Sequence, residues 1–571
     1  MIRDWGVTLA TFLPALGAVL IAVTPKGRES ALKIYALGFT AVPLLIGLAV
    51  AARFNYGEAG IQFETDISWI PSIDARYHIG LDGISLPLFI LSLLLTFLCM
   101  IYAQWHMPEP HKPKLFYAFC LLLETGMTGT FVALDLVLFF IFWELVLVPM
   151  YFIIGLWGGP RREYAAIKFF LFTLFGSVFM LLGFLALYFQ ADPNTFDILR
   201  LQEAGVLSIP ISVANLIFAG LALGFAVKVP MWPLHTWLPD AHTEAPTIGS
   251  VLLAAVLLKM GTYGFIRIAI PILPEAARNF APLIGLLAAI AIVYGALNCL
   301  AQSDLKRMIA FSSVGHMGFV MLGIATMTDV GFNAAIYGMI SHGVITGMLF
   351  FIAGSIQHRY HTREIPELGG LALKIPILAG LLAYSAIASL GLPGLAGFWG
   401  EVMALLSSYN PLDGLDLTTF RTYMVLGGIG TILTAGYFLW MLQRVNLGKL
   451  PEKWKDAKFA DVEPLEWAAW APLLVLILVL GLAPRLVFDV TGKSVEVLSG
   501  AVAVQGSAVA DKDGHGSPHD GHGKPGDKHG NGPAGDHMDE EMSPGEHMMS
   551  PGPRMSPGMS EGLHLEPVRR R

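Results

Sequence analysis

Long apolar runs alternate with short polar stretches over the first 490 or so residues, and the runs are long enough to predict membrane-crossing helices. A spanning helix needs about 20 mostly apolar residues, and about fourteen windows meet that criterion. They are 5–23, 34–52, 84–103, 115–134, 136–156, 167–190, 211–229, 247–270, 281–301, 304–326, 331–356, 375–408, 421–443 and 468–489. The first run follows Arg3 and Asp4 and lacks a small-residue cleavage site, so it reads as a retained helix. Two runs are interrupted. Pro230 and Pro233 follow Lys228, and Pro393 stands between Gly391 and Gly394 shortly before Glu401. Proline removes a backbone donor, so the seventh and twelfth spans are expected to be discontinuous.

Interruptions at corresponding places suggest an inverted repeat around an ion path. The expected organisation is all-α and polytopic. Residues 1–114 hold the N-terminal helices and an outward loop, 115–270 a first five-helix repeat and 281–443 a second. An inward connecting segment and the last span follow at 444–504, and a disordered tail at 505–571. That tail, rich in His, Met, Gly and Pro, lacks the residues to bury a core.

Composition agrees with this reading: 55% of residues are hydrophobic and 14% charged, and mean hydropathy is +0.62, values outside the range of soluble domains. Charge supplies the orientation. Lys26, Lys33, Lys112, Lys114, Lys168, Lys306, Lys374 and Lys449 fall on alternate connections, with arginines beside them, while the other connections carry no lysine before Lys493. The positive-inside rule then places both termini on the outer side of the membrane.

Several functions lose support. Cys99, Cys120 and Cys299 stand singly in apolar runs, with no paired spacing for zinc or an iron–sulfur cluster. No glycine-rich dinucleotide or nucleotide-triphosphate motif occurs. No cofactor and no metal are therefore expected in this chain, and no nucleic acid among its partners.

What stands out is ionisable residues at membrane depth: Glu144 in "LFFIFWELVLVPM", Lys228 in "LALGFAVKVPMW", Lys259 in "LAAVLLKMGTYG", Glu401 in "LAGFWGEVMALL", and Glu124 as a weaker candidate. A charge at the bilayer centre costs about 2.5–3.5 kcal/mol even on the lenient insertion scale, so each needs a partner, water or a neutral state. A structural ion pair would serve as well as a relay. Snorkelling would account for Lys168 and Lys306 at span ends. His316 and His342 lie within spans and could accept a proton on one nitrogen while donating from the other, or be core histidines bonded to the backbone. His235 and His242 fall at the inward mouth and read as polar loop residues.

The stretches "KVPMWPLHTWLPDAHTEAPTIGSVLLAAVLLKMGTYG", "FWELVLVPMYFIIGLWGG", "DLKRMIAFSSVGHMGF" and "GLPGLAGFWGE" resemble the antiporter-like membrane subunits of proton-pumping NADH:quinone oxidoreductase, the M type in particular. The resemblance runs over about residues 70–445, and Lys at 259 with Glu at 401 is what marks the M type. It implies a non-redox subunit of a respiratory translocase, partnered by L- and N-type antiporter-like subunits. It also implies roles: Glu144 and Lys228 as the pair of a first half-channel, Lys259 as the central lysine, His316 and His342 as the bridge, and Glu401 as the outlet. The tail has no counterpart in that pattern. Two other readings stay open at this point. One is a subunit of an Mrp-type cation/proton antiporter, and the other is metal binding by the tail, which holds seven of the sixteen histidines.

Overall fold

A computed structural model describes residues 2–25, 27–203 and 205–513. Among them thirteen helices are long and apolar enough to cross a membrane. The pair Pro376–Ser389 and Gly397–Tyr409 forms a further, broken span. Each falls on one of the expected windows.

The spans are not equivalent. The most apolar windows of Thr247–Ile272 and Asp329–Tyr360 are wholly buried, and that of Leu305–Ala325 is 94% buried. Those of Glu29–Ala51, Arg162–Gln190, Leu417–Val445 and Pro464–Leu482 are at most 39% buried and present their other faces outward. The three buried spans carry Lys259, His316 and His342, so these residues are placed in the interior of the bundle and away from lipid.

Both expected interruptions occur. Ile211–Lys228 ends at Lys228, and the chain resumes as Trp237–Glu244. The buried Trp237 indole donates to Val227 O at 2.9 Å, supplying a partner for a carbonyl released by the break. In the twelfth span Gly391 and Gly394 have φ of +81° and +92°, values that favour glycine. The opened backbone there is braced by the last span: Ala396 N donates to Ile477 O at 3.0 Å, and the Trp399 indole to Gly481 O at 2.8 Å. Between these breaks, Thr247–Ile272 contains two π-helical stretches, Leu253–Leu257 and Phe265–Ala269.

The segment expected as a plain outward loop is partly a β-hairpin, Gln62–Ile70 paired antiparallel with Ala75–Leu81. The strand's alternation of Phe63, Thr65, Ile67 and Trp69 was overshadowed by the apolar runs on either side. The hairpin is fixed to its surroundings. Leu134 N donates to His78 O at 2.9 Å, and Arg76 N donates at 3.0 Å to Asp135, whose side chain caps the helix leading to Glu144. At the edge of the same face, Asp82 and Arg267 pair at 2.5 Å.

Two details depart from expectation at the C-terminal end. The last span closes at Leu482, and a separate helix, Arg485–Asp513, follows it and continues nine residues past 504. It packs on the hairpin face, where Gly83 N donates to Ser494 Oγ at 3.0 Å and Thr491 Oγ1 to Asn333 at 2.5 Å. The rest of the expected tail, 514–571, lies outside the described residues. On the opposite, lysine-rich face, Glu466 at the start of the last span is clamped by Arg359 at 2.6 Å and by Ser355 Oγ at 2.5 Å.

Candidate proton-conducting site

The centre of the site is Lys259, fully buried between the two π-helical stretches. A π-bulge releases a carbonyl from the regular helical ladder, and Lys259 Nζ donates to one in that region, Ala254 O, at 2.6 Å. The second partner of Nζ is His342 Nδ1, at 2.6 Å. The helix carrying Lys259 sits close against the seventh span, since a Cβ on Gly261 would come within 2.7 Å of Phe225 O.

From His342 the polar groups continue toward the twelfth span. The rings of His342 and His316 are 5.6 Å apart between centroids. His316 Nδ1 is 3.0 Å from Glu401 Oε1, and His316 Nε2 is 3.0 Å from Ser389 Oγ. Glu401 lies just beyond the glycine-rich break, close enough that a Cβ on Gly391 would approach Glu401 Oε2 to 3.0 Å. Lys259, His342, His316 and Glu401 are therefore brought together, although 142 residues separate the first from the last.

Glu144 and Lys228 are neighbours, but among the described residues no ion pair within 4.0 Å joins them. Trp143 stands beside both. Its indole donates to Ser177 Oγ at 3.0 Å, and Lys228 Nζ lies 5.0 Å from its ring centroid, a cation–π distance. Glu144 is only partly buried, yet its Oε1 has no hydrogen-bond partner. The pair is thus spaced to sense each other's charge without being locked.

Three residues differ from their sequence reading. Lys306 does not snorkel: it is 2% exposed and donates to Ala245 O. His242 is not a loop residue but is fully buried in the helix Trp237–Glu244, its ring stacked on Phe350 at 4.6 Å. His235, also read as a polar loop residue, does lie in a turn but is only 3% exposed. Lys168 keeps its place near a span end, where it pairs with Asp240 at 2.7 Å. Glu124 is fully buried with neither carboxyl oxygen paired, and it belongs to none of these contacts.

Sequence reasoning missed Ser389, Thr346 and Ser177, because single hydroxyls in apolar helices carry no signal of their own. It also missed a polar cavity of about 540 Å³ on the lysine-rich face, walled by His106, Glu244, Lys306, His358 and Arg363. Among the described residues no group of three or more His, Cys, Asp or Glu side chains is placed to hold a metal ion.

Buried ionisable groups on broken and π-distorted helices, inside a bundle of about fourteen spans, define a polytopic ion-translocating membrane protein. Residues 133–424 match the transmembrane family described as NADH:quinone oxidoreductase/Mrp antiporter. The chain is 43% identical over 504 residues to NADH-quinone oxidoreductase subunit M of Rhodobacter capsulatus, covering 86% of this chain and 95% of that protein. It is 42% identical to an NAD(P)H-quinone oxidoreductase chain 4 of Synechococcus elongatus, over 84% and 89%. Respiratory complex I from Thermus thermophilus contains a chain of the same fold, with TM-score 0.76 and 29% identity over 87% of this chain and 99% of that one. The Mrp complex from a Dietzia species matches at TM-score 0.76 and 20% identity, which is a likeness of fold. This chain belongs to the M-subunit, antiporter-like family of NADH:quinone oxidoreductase.

Proposed function

We propose that the chain is the proton-translocating M-type membrane subunit of an NADH:quinone oxidoreductase, with no redox group of its own. Redox work in partner subunits reaches it as a change in the electrostatics of buried groups. L- and N-type antiporter-like subunits are its membrane neighbours. The complex sits in a bacterial inner membrane, with the lysine-rich face inward and the hairpin face outward, which puts both termini of the chain on the outer side.

The observation that carries this reading is the pair of contacts that leads from Lys259 to His342 and from His316 to Glu401. Water reaches the inward side through the polar cavity beside Lys306. A proton held between Glu144 and Lys228 moves to Lys259, because moving a carboxylate toward or away from a desolvated lysine changes how tightly the lysine holds its proton. A change of about 1.4 kcal/mol alters that affinity tenfold. Lys259 then passes the proton through the histidines to Glu401, which releases it outward.

The relatives at about 40% identity favour this over an Mrp-type cation/proton antiporter, for which the likeness is one of fold. NADH-driven proton uptake by inverted membrane vesicles tests the reading. Lys259→Ala is expected to abolish uptake in a complex that assembles normally, and uptake at the wild-type rate would refute the path.

A further inference from the structure

Between His342 and Glu401 lies a cavity of about 20 Å³, lined among others by His316, His342, Thr346, Ser389 and Glu401. A polar cavity of about 10–15 Å³ admits one water molecule, provided two to four polar partners face it. Three of the lining side chains carry a buried polar atom with no partner: His342 Nε2, Thr346 Oγ1 and Glu401 Oε2. Buried polar atoms are ordinarily paired, so three around one small cavity indicate a ligand held in common. Thr346 sharpens the point. The hydroxyls of Thr40, Ser92, Thr96 and Thr173 turn back onto the carbonyl four residues earlier, the usual resort of a hydroxyl in a membrane helix. That of Thr346 does not.

We propose that one water molecule bound by His342 Nε2, Thr346 Oγ1 and Glu401 Oε2 is the proton carrier between His342 and Glu401. The inference rests on the relay proposed above and assigns its last internal step. His316, grouped above with His342 as the bridge, is assigned the positioning part of it: with one nitrogen at Glu401 Oε1 and the other at Ser389 Oγ, it holds the carboxyl so that Oε2 faces the water, and His342 alone passes the proton.

Hydrogen-bond chemistry selects water over a cation. A charged Lys259 has only donors, so His342 Nδ1 must accept from it, which puts the ring proton on Nε2. An Nε2–H group cannot ligate a cation. It requires an occupant that accepts from nitrogen and can donate to a carboxylate, and water does both. The step balances in protons. Lys259 gives one N–H proton to Nδ1, Nε2–H gives its proton to the water oxygen, and the water gives one of its own to Glu401 Oε2. Lysine ends neutral, the carboxylate ends as the acid, and imidazole and water are unchanged in charge. Only the histidine tautomer is reversed, and it must reset before the next proton.

Thr346→Val keeps the shape of the side chain and deletes the hydroxyl, whereas Thr346→Ser keeps the hydroxyl. Both are assayed in the intact complex by NADH-driven proton uptake in inverted vesicles, normalised to NADH oxidation by an artificial electron acceptor. A map of the wild-type complex sharp enough to show ordered water is the second measurement. The expected results are a loss of about tenfold or more in uptake for Thr346→Val, recovery in Thr346→Ser, and one water-like density in contact with all three atoms. Unimpaired Thr346→Val, equal loss in both variants, a dry cavity or a metal ion in it would each overturn the proposal. If Thr346→Val pumps normally while Lys259→Ala does not, the water bridge falls and the relay stands; if both pump normally, both fall.

Discussion

Lys259 Nζ and His342 Nδ1 lie 2.6 Å apart on two helices whose most apolar windows are wholly buried. Neither group is at home there alone, since an unpaired buried charge or imidazole forfeits its hydration. The contact gives a protonated lysine an acceptor, and in the proposed relay it fixes which nitrogen of the histidine receives the proton.

Lys259→Arg separates the need for charge from the need for release. Guanidinium keeps the positive charge but stays protonated throughout the accessible pH range. The complex is expected to assemble, judged by normal NADH oxidation with an artificial acceptor, while proton uptake falls about tenfold or more. Uptake within twofold of wild type would mean that Lys259 acts only as a fixed charge.

Glu144→Gln removes a charge without changing shape beside Trp143 and Lys228. The amide keeps the shape of the side chain but offers Lys228 no negative charge to sense. Uptake and quinone-linked NADH oxidation are expected to fall together if the chain is obligatorily coupled, and vesicle assays measure both. Loss of neither would make the carboxylate a structural group.

Gly391→Ala probes the break before Glu401. Its φ of +81° disfavours any residue with a Cβ, at a cost on the order of 1–2 kcal/mol. The added carbon would also press on Glu401 Oε2 from 3.0 Å. Slower uptake with a normal amount of assembled complex is expected. Complete loss of assembly would instead place the glycine's role in folding.

The hairpin of residues 62–81 should loosen in alkaline solution. Burial by itself would lower the His78 pKa, but Asp197 at 2.5 Å and Glu64 at 2.8 Å outweigh it and hold the pKa above the ordinary histidine value of 6.5. Burial would likewise raise that of Asp197, and His78 with the capping N–H groups of Leu199 and Arg200 brings it below 3.8. The histidine's contribution is therefore full below pH 6.5 and is lost as pH rises through its raised value. That of Asp197 is full above 3.8 and is lost on acidification below it. Amide exchange in 62–81, compared at pH 6 and pH 9 after correction for intrinsic rates, is expected to show less protection at pH 9. His78→Phe should remove the difference.

The positions of the spans, the two discontinuities and the ionisable residues at depth were all legible in the sequence. Apolar length, proline and glycine placement, and isolated charges each act within a stretch of chain and leave a local mark. Lys228 beside Pro230, and Glu401 after Gly394, needed no tertiary information to attract notice.

Partnership was not legible, because it depends on which helices pack together. Sequence could not distinguish Lys306 as a snorkelling end from Lys306 buried against Ala245 O, nor His242 in a loop from His242 stacked on Phe350. It had no means to foresee that a π-bulge would present Ala254 O to Lys259, or that Thr346 would face Glu401 across a cavity of one water's size. Composition put these charges in the membrane; packing alone gave them their neighbours, since buried groups find partners across helices and not along them.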